Sequence, residues 1–184
     1  ATTPAATPAD AVRGASRVHL VLKDDAVVDS VIAAARSGLS AGAILVDHTT
    51  TLPRLTAERA ERLRAEGVNY LHCPVFMGPP AARSAQGVML ATGPKALFES
   101  VQADLARMTG RLQYMGERTD LAAVDKLLGN AMIIGVSAVM ADVFRHEGIT
   151  VRLGASIDRV DQDGGEIAVT TSGDRVVGDA LLVA

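Results

Sequence analysis

A lysine and an asparagine stand four residues apart in a stretch that is otherwise largely apolar. On a helix, Lys126 and Asn130 project from one face, because positions i and i+4 lie one above the other. A cation among apolar residues loses hydration unless a partner or a ligand compensates it. The pair therefore has the chemistry of a proton donor and a substrate clamp. The structural alternative is a lysine that extends from a core helix into solvent beside a capping or solvated asparagine.

Two loops that follow apolar strands carry groups suited to binding a ligand. Residues 47–53, Asp-His-Thr-Thr-Thr-Leu-Pro, supply hydroxyls, and residues 73–80, Cys-Pro-Val-Phe-Met-Gly-Pro-Pro, supply a glycine that lets a ligand approach the backbone. In open α/β sheets, ligands bind at the carboxyl ends of the strands. Taken singly, each loop is also typical of an ordinary capped loop or a Pro/Gly turn.

Apolar runs and amphipathic segments alternate along the first 144 residues. The predicted strands are 18–22, 43–47, 68–75, 88–92 and 112–115. The predicted helices are 24–38, 56–66, 95–107 and 120–144, and the first of them is capped by Asp24. This alternation predicts an α/β fold with a parallel sheet and flanking helices.

The pattern changes near residue 146, where short strands separated by turn residues begin. The predicted strands are 150–154, 156–160, 166–171 and 175–183, which form an antiparallel β-meander. The predicted domain division is therefore a sheet-forming domain over 1–118, a long helix over 119–145 and the meander over 146–184.

Composition and charge exclude several classes of protein. The net charge of −3 and the absence of a basic block give no support for nucleic-acid binding. A single cysteine excludes an internal disulfide and is typical of a reducing, cytoplasmic compartment. No uninterrupted apolar run reaches the length of a membrane span, so no membrane segment is expected. The four histidines show no metal-ligand spacing, so no metal site is expected.

Three ordered motifs resemble those of the β-hydroxyacid dehydrogenase family, which includes 3-hydroxyisobutyrate dehydrogenase. The family pattern is Asp-x-Ser/Thr-Thr-x-x-Pro, then Ala-Pro-Val-Ser-Gly-Gly, then Lys-x-x-Asn-Asn at the start of a long interdomain helix. The matching segments here are 47–53, 73–78 and 126–130, and the resemblance covers about residues 5–144. It implies a partial Rossmann-like domain, a long interdomain helix and an NAD(P)-dependent oxidoreductase acting on a small hydroxy acid or semialdehyde.

The resemblance also implies roles for particular residues. Lys126 would be the general acid that protonates the carbonyl oxygen. The substrate would be bound by Thr49, Met77, Gly78 and Asn130. The nicotinamide-ribose site would be lined by Leu22, Lys23 and Thr50. The implied cofactor is NAD or NADP, and FAD is not expected.

The sequence departs from the family pattern at four places, one of which is residues 116–120, Gly-Glu-Arg-Thr-Asp, where the family has a Gly-rich entry to the lysine helix. Phe76-Met77-Gly78 stands where the family has Ser-Gly-Gly, which narrows the carboxylate cradle, and Gly129 replaces the first asparagine of the Asn pair. The 184 residues contain no Gly-x-Gly-x-x-Gly, the motif that admits a pyrophosphate to a helix N-terminus. We therefore expect weak or absent dinucleotide binding, and self-association through exposed sheet edges.

The tail resembles a different family. Residues 145–184 are similar to a segment of the flavin-dependent pyridine-nucleotide disulfide reductases, although the redox cysteine pair and the nucleotide fingerprints of that family are absent. Two alternatives to a hydroxyacid dehydrogenase therefore remain open. The first alternative is a non-catalytic fragment or chimeric module, and the second is a fragment of an FAD/NAD(P)-dependent disulfide reductase.

Overall fold

A computed structural model describes residues 3–148, 157–163, 166–171 and 174–178. The chain forms two compact units, residues 1–133 and residues 134–184. The domain division at 118 and 145 stays a prediction.

The first unit alternates helices and strands, as the sequence predicts. Its strands are β1 (Arg17–Leu20), β2 (Ile44–Asp47), β3 (Asn69–His72), β4 (Val75–Phe76), β5 (Val88–Thr92) and β6 (Arg111–Gly116). Its helices are α1 (Pro8–Val12), α2 (Asp25–Ala35), α3 (Pro53–Ala65), α4 (Pro79–Arg83) and α5 (Lys95–Ala106), with a 3₁₀ turn at Arg36–Gly38. A long helix, α6 (Leu121–His146), begins in this unit and ends in the second.

The strands form a single mixed sheet. Strands β1, β2 and β3 pair in parallel, with Leu45 of β2 beside Val18 and Tyr70. Strand β5 pairs antiparallel with β3 and with β4, and β6 pairs parallel with β5. The α/β class and the Rossmann-like sheet are confirmed, and the structure adds one reversal of strand direction that the prediction of a parallel sheet lacked. Within the described residues, β1 forms one edge of this sheet.

Capping residues explain where the helices begin. The Asp24 side chain accepts a hydrogen bond of 3.0 Å from the Val27 amide and caps α2, as predicted. Helix α3 begins at Pro53 instead of residue 56, because proline fits the first helical position, where no amide donor is needed. The same preference turns the predicted Gly-Pro-Pro turn into the short helix α4. Helix α1, capped by Thr7, is an element that the sequence analysis missed.

Apolar side chains are buried on both faces of the sheet. Alternate residues of β2 point to opposite faces, so that Leu45 belongs to one core cluster and Val46 to the other. The first cluster packs against α2, through Val28 and Ile32, and the second against α5, through Phe98. Continuous apolar strands are typical of sheets covered on both faces, which the sequence indicates.

A fully buried arginine joins α3 to α2 and to the end of β2. The Arg59 side chain is 0% exposed, and it donates hydrogen bonds of 2.8 Å to Asp25 and to Asp29. Its Nη1 atom lies 4.0 Å from Oδ2 of Asp47, which also accepts a hydrogen bond of 2.8 Å from the Tyr70 hydroxyl. Burial alone would lower the pKa of Arg59, but the hydrogen bonds to Asp29 and Asp25 outweigh it and raise that pKa. The guanidinium therefore stays charged inside the fold.

Helix α6 carries a run of exposed apolar side chains. They are between 38% and 69% exposed: Leu128, Met132, Ile133, Ile134, Val136, Val139, Met140, Val143 and Phe144. Within the described ranges, α6 is the one helix long and apolar enough to cross a membrane by length and composition. A single helix of this kind does not establish a membrane segment, because core helices of soluble proteins pass the same test.

The second unit contains an antiparallel meander. Its described strands are β7 (Ile157–Asp163), β8 (Glu166–Thr171) and β9 (Asp174–Gly178), in the order β7-β8-β9. The strand predicted over 150–154 lies outside the described residues. The resemblance of this part of the chain to a flavoprotein segment stays a prediction.

Replacing Arg59 by methionine should lower the free energy of unfolding by about 3–5 kcal/mol, because the carboxylates of Asp25, Asp29 and Asp47 would lose a buried cation. Urea denaturation followed by circular dichroism measures this change. The matched control is Arg62→Ala on the same helix. Arg62 also pairs with Asp29 but is 49% exposed, so its removal should cost less than about 1 kcal/mol. Equal losses of unfolding free energy in the two variants would contradict the conclusion that the buried Arg59 stabilises the fold more than the half-exposed Arg62 does.

Candidate active site

The predicted pair on α6 is present, and an aromatic ring accompanies it. The ammonium of Lys126 donates a hydrogen bond of 3.0 Å to Oδ1 of Asn130. It also lies 4.0 Å from the centroid of the Phe76 ring, which belongs to β4. A desolvated cation over an aromatic face gains up to about 2 kcal/mol. The first turns of α6 therefore contact the segment that follows β3.

The start of α6 is tied to the sheet next to this cluster. The buried Thr92 hydroxyl at the end of β5 donates a hydrogen bond of 2.9 Å to the Thr119 carbonyl, two residues before α6. The carbonyl of His72, at the end of β3, lies 3.3 Å from the same hydroxyl. One buried side chain thus joins β3, β5 and the entry to α6, which fixes the helix that carries Lys126.

Gly129 and Phe76 fit each other closely. A Cβ atom added at Gly129 would lie 2.7 Å from Cζ and 2.9 Å from Cε1 of the Phe76 ring. Contacts this short do not occur between real Cβ atoms and ring carbons, so the ring occupies its position only because residue 129 has no side chain.

The environment of Lys126 suits proton transfer. The residue is 9% exposed, and burial lowers the pKa of its ammonium. Asn130 is its hydrogen-bond partner in the described part of the chain, and no carboxylate there forms an ion pair with it. A lysine whose pKa is lowered gives up its proton more readily than an ordinary lysine does.

The loop after β2 places Thr49 next to the backbone of the segment that follows β1. The hydroxyl of Thr49 accepts a hydrogen bond of 3.1 Å from the Leu22 amide, and the Thr49 amide donates one of 3.0 Å to the Asp47 carboxylate. Two predicted residues, Leu22 from the nicotinamide set and Thr49 from the substrate set, are therefore in direct contact. Thr49 is buried, and Leu22 is half-buried.

Buried polar contacts hold the rest of this loop. Nε2 of His72 lies 3.1 Å from the Thr49 carbonyl and donates to it, because a carbonyl can only accept. The Thr56 hydroxyl donates to the Leu52 carbonyl, so the Thr51 hydroxyl must be the donor in the 2.6 Å contact between Thr51 and Thr56. The loop between β2 and α3 is therefore rigidly connected to β3.

A hydrogen-bonded pair of imidazoles runs from β1 to the same loop. Nδ1 of His48 donates to the Cys73 carbonyl at 2.8 Å, so Nε2 of the neutral ring is an acceptor. That atom lies 2.9 Å from Nδ1 of His19, which must then carry the proton. Burial lowers the pKa of both rings, and each is thus held neutral. Burial likewise raises the pKa of the Cys73 thiol, so this cysteine is not an activated nucleophile.

The remaining predicted residues are less firmly held. Lys23 is 86% exposed and lies 3.7 Å from the Asp24 carboxylate, and Thr50 is exposed beside Thr49. Met77 is half-buried and Gly78 is exposed, and the Gly78 carbonyl accepts a hydrogen bond from the Ala82 amide in α4. The structure thus brings together Lys126 and Asn130, and separately Leu22 and Thr49. The roles assigned to all eight residues stay predictions.

Several residues of this region were missed by reasoning from the sequence. His19 and His48 are 29 positions apart, and only the parallel pairing of β1 with β2 brings them together. Phe76 was noticed only as a departure from a motif, and its contact with Lys126 depends on how α6 packs. The imidazole pair could have been predicted only from the pairing of β1 with β2.

The donor set fits the nicotinamide end of a dinucleotide. Leu22, Lys23 and Thr50 follow β1 and β2 at the carboxyl edge of the sheet, where such ligands bind, and they offer an exposed ammonium and a hydroxyl. The sequence has no glycine-rich phosphate loop to hold the pyrophosphate. Among the described residues, no three His, Cys, Asp or Glu side chains cluster as metal ligands do.

A protein-family model, described as the NAD binding domain of 6-phosphogluconate dehydrogenase, matches residues 1–116, more than half of the chain. An NADH-dependent oxidoreductase of Aspergillus ustus is 29% identical over 125 residues, which are 68% of this chain and 41% of the relative. The mitochondrial 3-hydroxyisobutyrate dehydrogenase of Drosophila melanogaster is 28% identical over 128 residues, which are 67% of this chain and 39% of the relative.

Among solved structures, an imine reductase from Myxococcus stipitatus in complex with NADP⁺ superposes with a TM-score of 0.69 at 26% identity. The match covers 79% of this chain and 52% of the reductase chain. The chain therefore spans about two fifths of the curated relatives that it matches and about half of the solved reductase.

The free energy of unfolding should decrease as the pH falls from about 6.5 toward 5. His19, His48 and His72 have lowered pKa values when folded, so below pH 6.5 the unfolded chain binds more protons than the folded one. In this window each imidazole lowers the free energy of unfolding by up to about 1.4 kcal/mol per pH unit as the pH falls. Above the window the free energy of unfolding no longer depends on these three rings. Urea unfolding at half-unit pH intervals measures the slope.

The variant His72→Gln provides the control. Glutamine can keep a donor to the Thr49 carbonyl but does not titrate, so the slope should become smaller. A stability that does not change between pH 6.5 and 5 would contradict the view that these rings are held neutral.

Proposed function

This chain belongs to the family of the NAD binding domain of 6-phosphogluconate dehydrogenase, and from that premise we propose that it forms the nicotinamide-facing and substrate-facing part of an NAD(P)-dependent oxidoreductase. The resemblance to the β-hydroxyacid dehydrogenases is thereby confirmed, since the matched relatives include a 3-hydroxyisobutyrate dehydrogenase. The observation that carries the proposal is the desolvated Lys126 ammonium, held by Asn130 at the start of α6.

The proposed reaction is reversible hydride transfer to a carbonyl carbon. The nicotinamide, when bound, supplies the hydride for reduction or accepts it in oxidation. In reduction the π bond of the C=O group breaks, its carbon gains the hydride, and its oxygen gains a proton from Nζ of Lys126. In oxidation the neutral amine takes the hydroxyl proton back. Burial favours this exchange, because it reduces the cost of the neutral amine.

The other residues are proposed to bind and orient the substrate and the nicotinamide-ribose. The Asn130 amide fixes the lysine rotamer through Oδ1 and has its Nδ2 donors for a substrate oxygen. Thr49, held by the Leu22 amide, and the backbone at Met77 and Gly78 would form the opposite wall of the substrate site. Leu22, Lys23 and Thr50 would line the nicotinamide-ribose. These roles rest on the family pattern and on the positions of the residues at the carboxyl edge of the sheet.

The substrate is proposed to be a small compound with a reducible C=O or C=N bond, or its reduced form. Hydroxy acids and semialdehydes are the class that the family resemblance implies. Imines are the second candidate, favoured by the similarity to the Myxococcus stipitatus reductase. A reducing, cytoplasmic compartment is proposed from the single buried Cys73. Self-association through exposed sheet edges stays a prediction.

Calorimetric titration compares how the chain binds NADH and reduced nicotinamide mononucleotide. Because the sequence offers a nicotinamide site but no glycine-rich phosphate loop, both ligands should bind weakly, with dissociation constants within about tenfold of each other. Binding of NADH more than about a thousandfold tighter than the mononucleotide would show that another segment holds the pyrophosphate. No binding of either ligand at millimolar concentration would contradict the proposed cofactor site.

Replacing Lys126 by alanine should reduce the rate of NADH-dependent carbonyl reduction by about 10²–10⁴-fold, because the proton donor is lost. The affinity for NADH should change little, since the proposed nicotinamide residues lie in other loops. Stopped-flow absorbance at saturating NADH measures the rate. Lys95→Ala is the matched control, because Lys95 lies on α5 and pairs with Glu99 at the surface. Equal rates for the two variants would remove Lys126 from the mechanism.

A further inference from the structure

Two departures from the family pattern turn out to be one packing arrangement. Phe76 stands where the family has serine, and Gly129 where it has asparagine, at positions 53 apart in the sequence. In the structure the Phe76 ring lies against Gly129, within 3.0 Å of the place where any Cβ atom at 129 would be. The ring therefore lies in this position because residue 129 is glycine, and any side chain at 129 would have to displace it.

The same ring lies against the proposed proton donor. Nζ of Lys126 is 4.0 Å from the centroid of Phe76 and 3.0 Å from Oδ1 of Asn130. An ammonium carries three N–H donors. Asn130 takes one, and the electron-rich face of Phe76 attracts the cation from a second direction. The position of the ammonium is thus set from two sides, and a donor remains for a substrate atom.

The ring also changes what can bind beside that donor. In the family pattern, a serine hydroxyl and two glycine amides form the wall where a substrate carboxylate lies. Here Phe76 has no hydrogen-bond donor in its side chain, and Met77 adds a thioether. The ring offers apolar surface but no hydrogen-bond donor in place of the serine hydroxyl. The side chains at 76 and 77 thus provide no hydrogen bond to a carboxylate and favour contact with an apolar group.

We propose that Phe76, with Gly129 making room for its ring, positions the Lys126 ammonium and makes the site specific for an uncharged ketone, aldehyde or imine with an apolar substituent. This inference rests on the proposed function, because it names the substrate class of the same site. Phe76 is a positioning and specificity-determining residue, and Lys126 remains the group that exchanges the proton with the substrate.

The ring position can be measured without turnover. The chain has three lysines, Lys23, Lys95 and Lys126, so ¹³C-lysine labelling gives three resolvable ε-methylene signals. Ring current should move the Lys126 signal upfield of the other two, which lie on exposed side chains. Gly129→Ala should abolish that shift by displacing the ring, with the protein still folded because alanine favours a helix. Phe76→Tyr, which keeps the ring, should retain it.

The substrate class is tested with two ligands that differ at one group, 4-methyl-2-pentanone and 4-methyl-2-oxopentanoate. The ketone carries a methyl where the keto acid carries a carboxylate. With NADH, the parent protein should give a ratio of kcat/KM, ketone over keto acid, of at least about tenfold. In Phe76→Ser/Gly129→Asn, which restores the family residues as a pair, the ratio should fall at least about tenfold. Gly129→Asn alone should lower kcat/KM for both the ketone and the keto acid, because its side chain would displace the Phe76 ring. Adding Phe76→Ser removes that ring and should restore activity.

The outcomes separate this inference from the proposed function. If neither ligand is reduced, the affinity of each can still be measured by titrating it against the Lys126 ε-methylene signal. Tighter binding of the ketone than of the keto acid would then support the inference about substrate class, while the absence of reduction would contradict the proposed oxidoreductase function. Tighter binding or faster reduction of the keto acid by the parent protein would overturn the inference. So would a Lys126 signal that does not respond to either ligand, or one that stays upfield in Gly129→Ala.

Discussion

The fold of the first unit depends on keeping one buried guanidinium charged. Arg59 lies wholly inside the protein, where an isolated charge would be very costly, and acidic residues from two other elements compensate it. Asp25 and Asp29 belong to α2, and Asp47 ends β2. This requirement fixes how α2 and α3 lie against each other. It also fixes Asp47, the first residue of the proposed ligand-binding loop.

The ion pairs of Arg59 also hold the loop formed by residues 47–53 in place. Asp47 accepts the Thr49 amide at Oδ1 and the Tyr70 hydroxyl at Oδ2, so its carboxylate joins the loop to β3 while remaining near Arg59. The Asp25 carboxylate, besides pairing with Arg59, accepts a hydrogen bond of 2.9 Å from the Leu52 amide. Both ends of the loop are therefore held by partners of the same arginine. Binding residues on a loop that is fixed in this way lose little conformational entropy when a ligand arrives.

Sequence reasoning predicted what depends on local spacing and missed what depends on packing. The helix that bears Lys126 and Asn130 follows from an apolar period and an i, i+4 offset, and the strands follow from short apolar runs. The reversal of β5 could not be predicted, because a buried strand has the same composition in either direction. The sequence predicts a helix around Arg59 but not the burial of its side chain, since that burial depends on carboxylates 30 and 34 residues away. The His19–His48 pair likewise requires the register of β1 and β2.

The Phe76–Gly129 contact changes how departures from a family pattern are interpreted. Considered one at a time, a phenylalanine in a serine position narrows a binding cradle, and a glycine in an asparagine position weakens a helix by about 1 kcal/mol relative to alanine. Considered together, the glycine creates the space that the ring fills, and the ring desolvates and positions the lysine that the pattern preserves. A site losing its function by drift would accumulate independent changes. Two changes that fit each other in space, next to Lys126 and Asn130, are instead what the proposed adaptation to a different ligand requires.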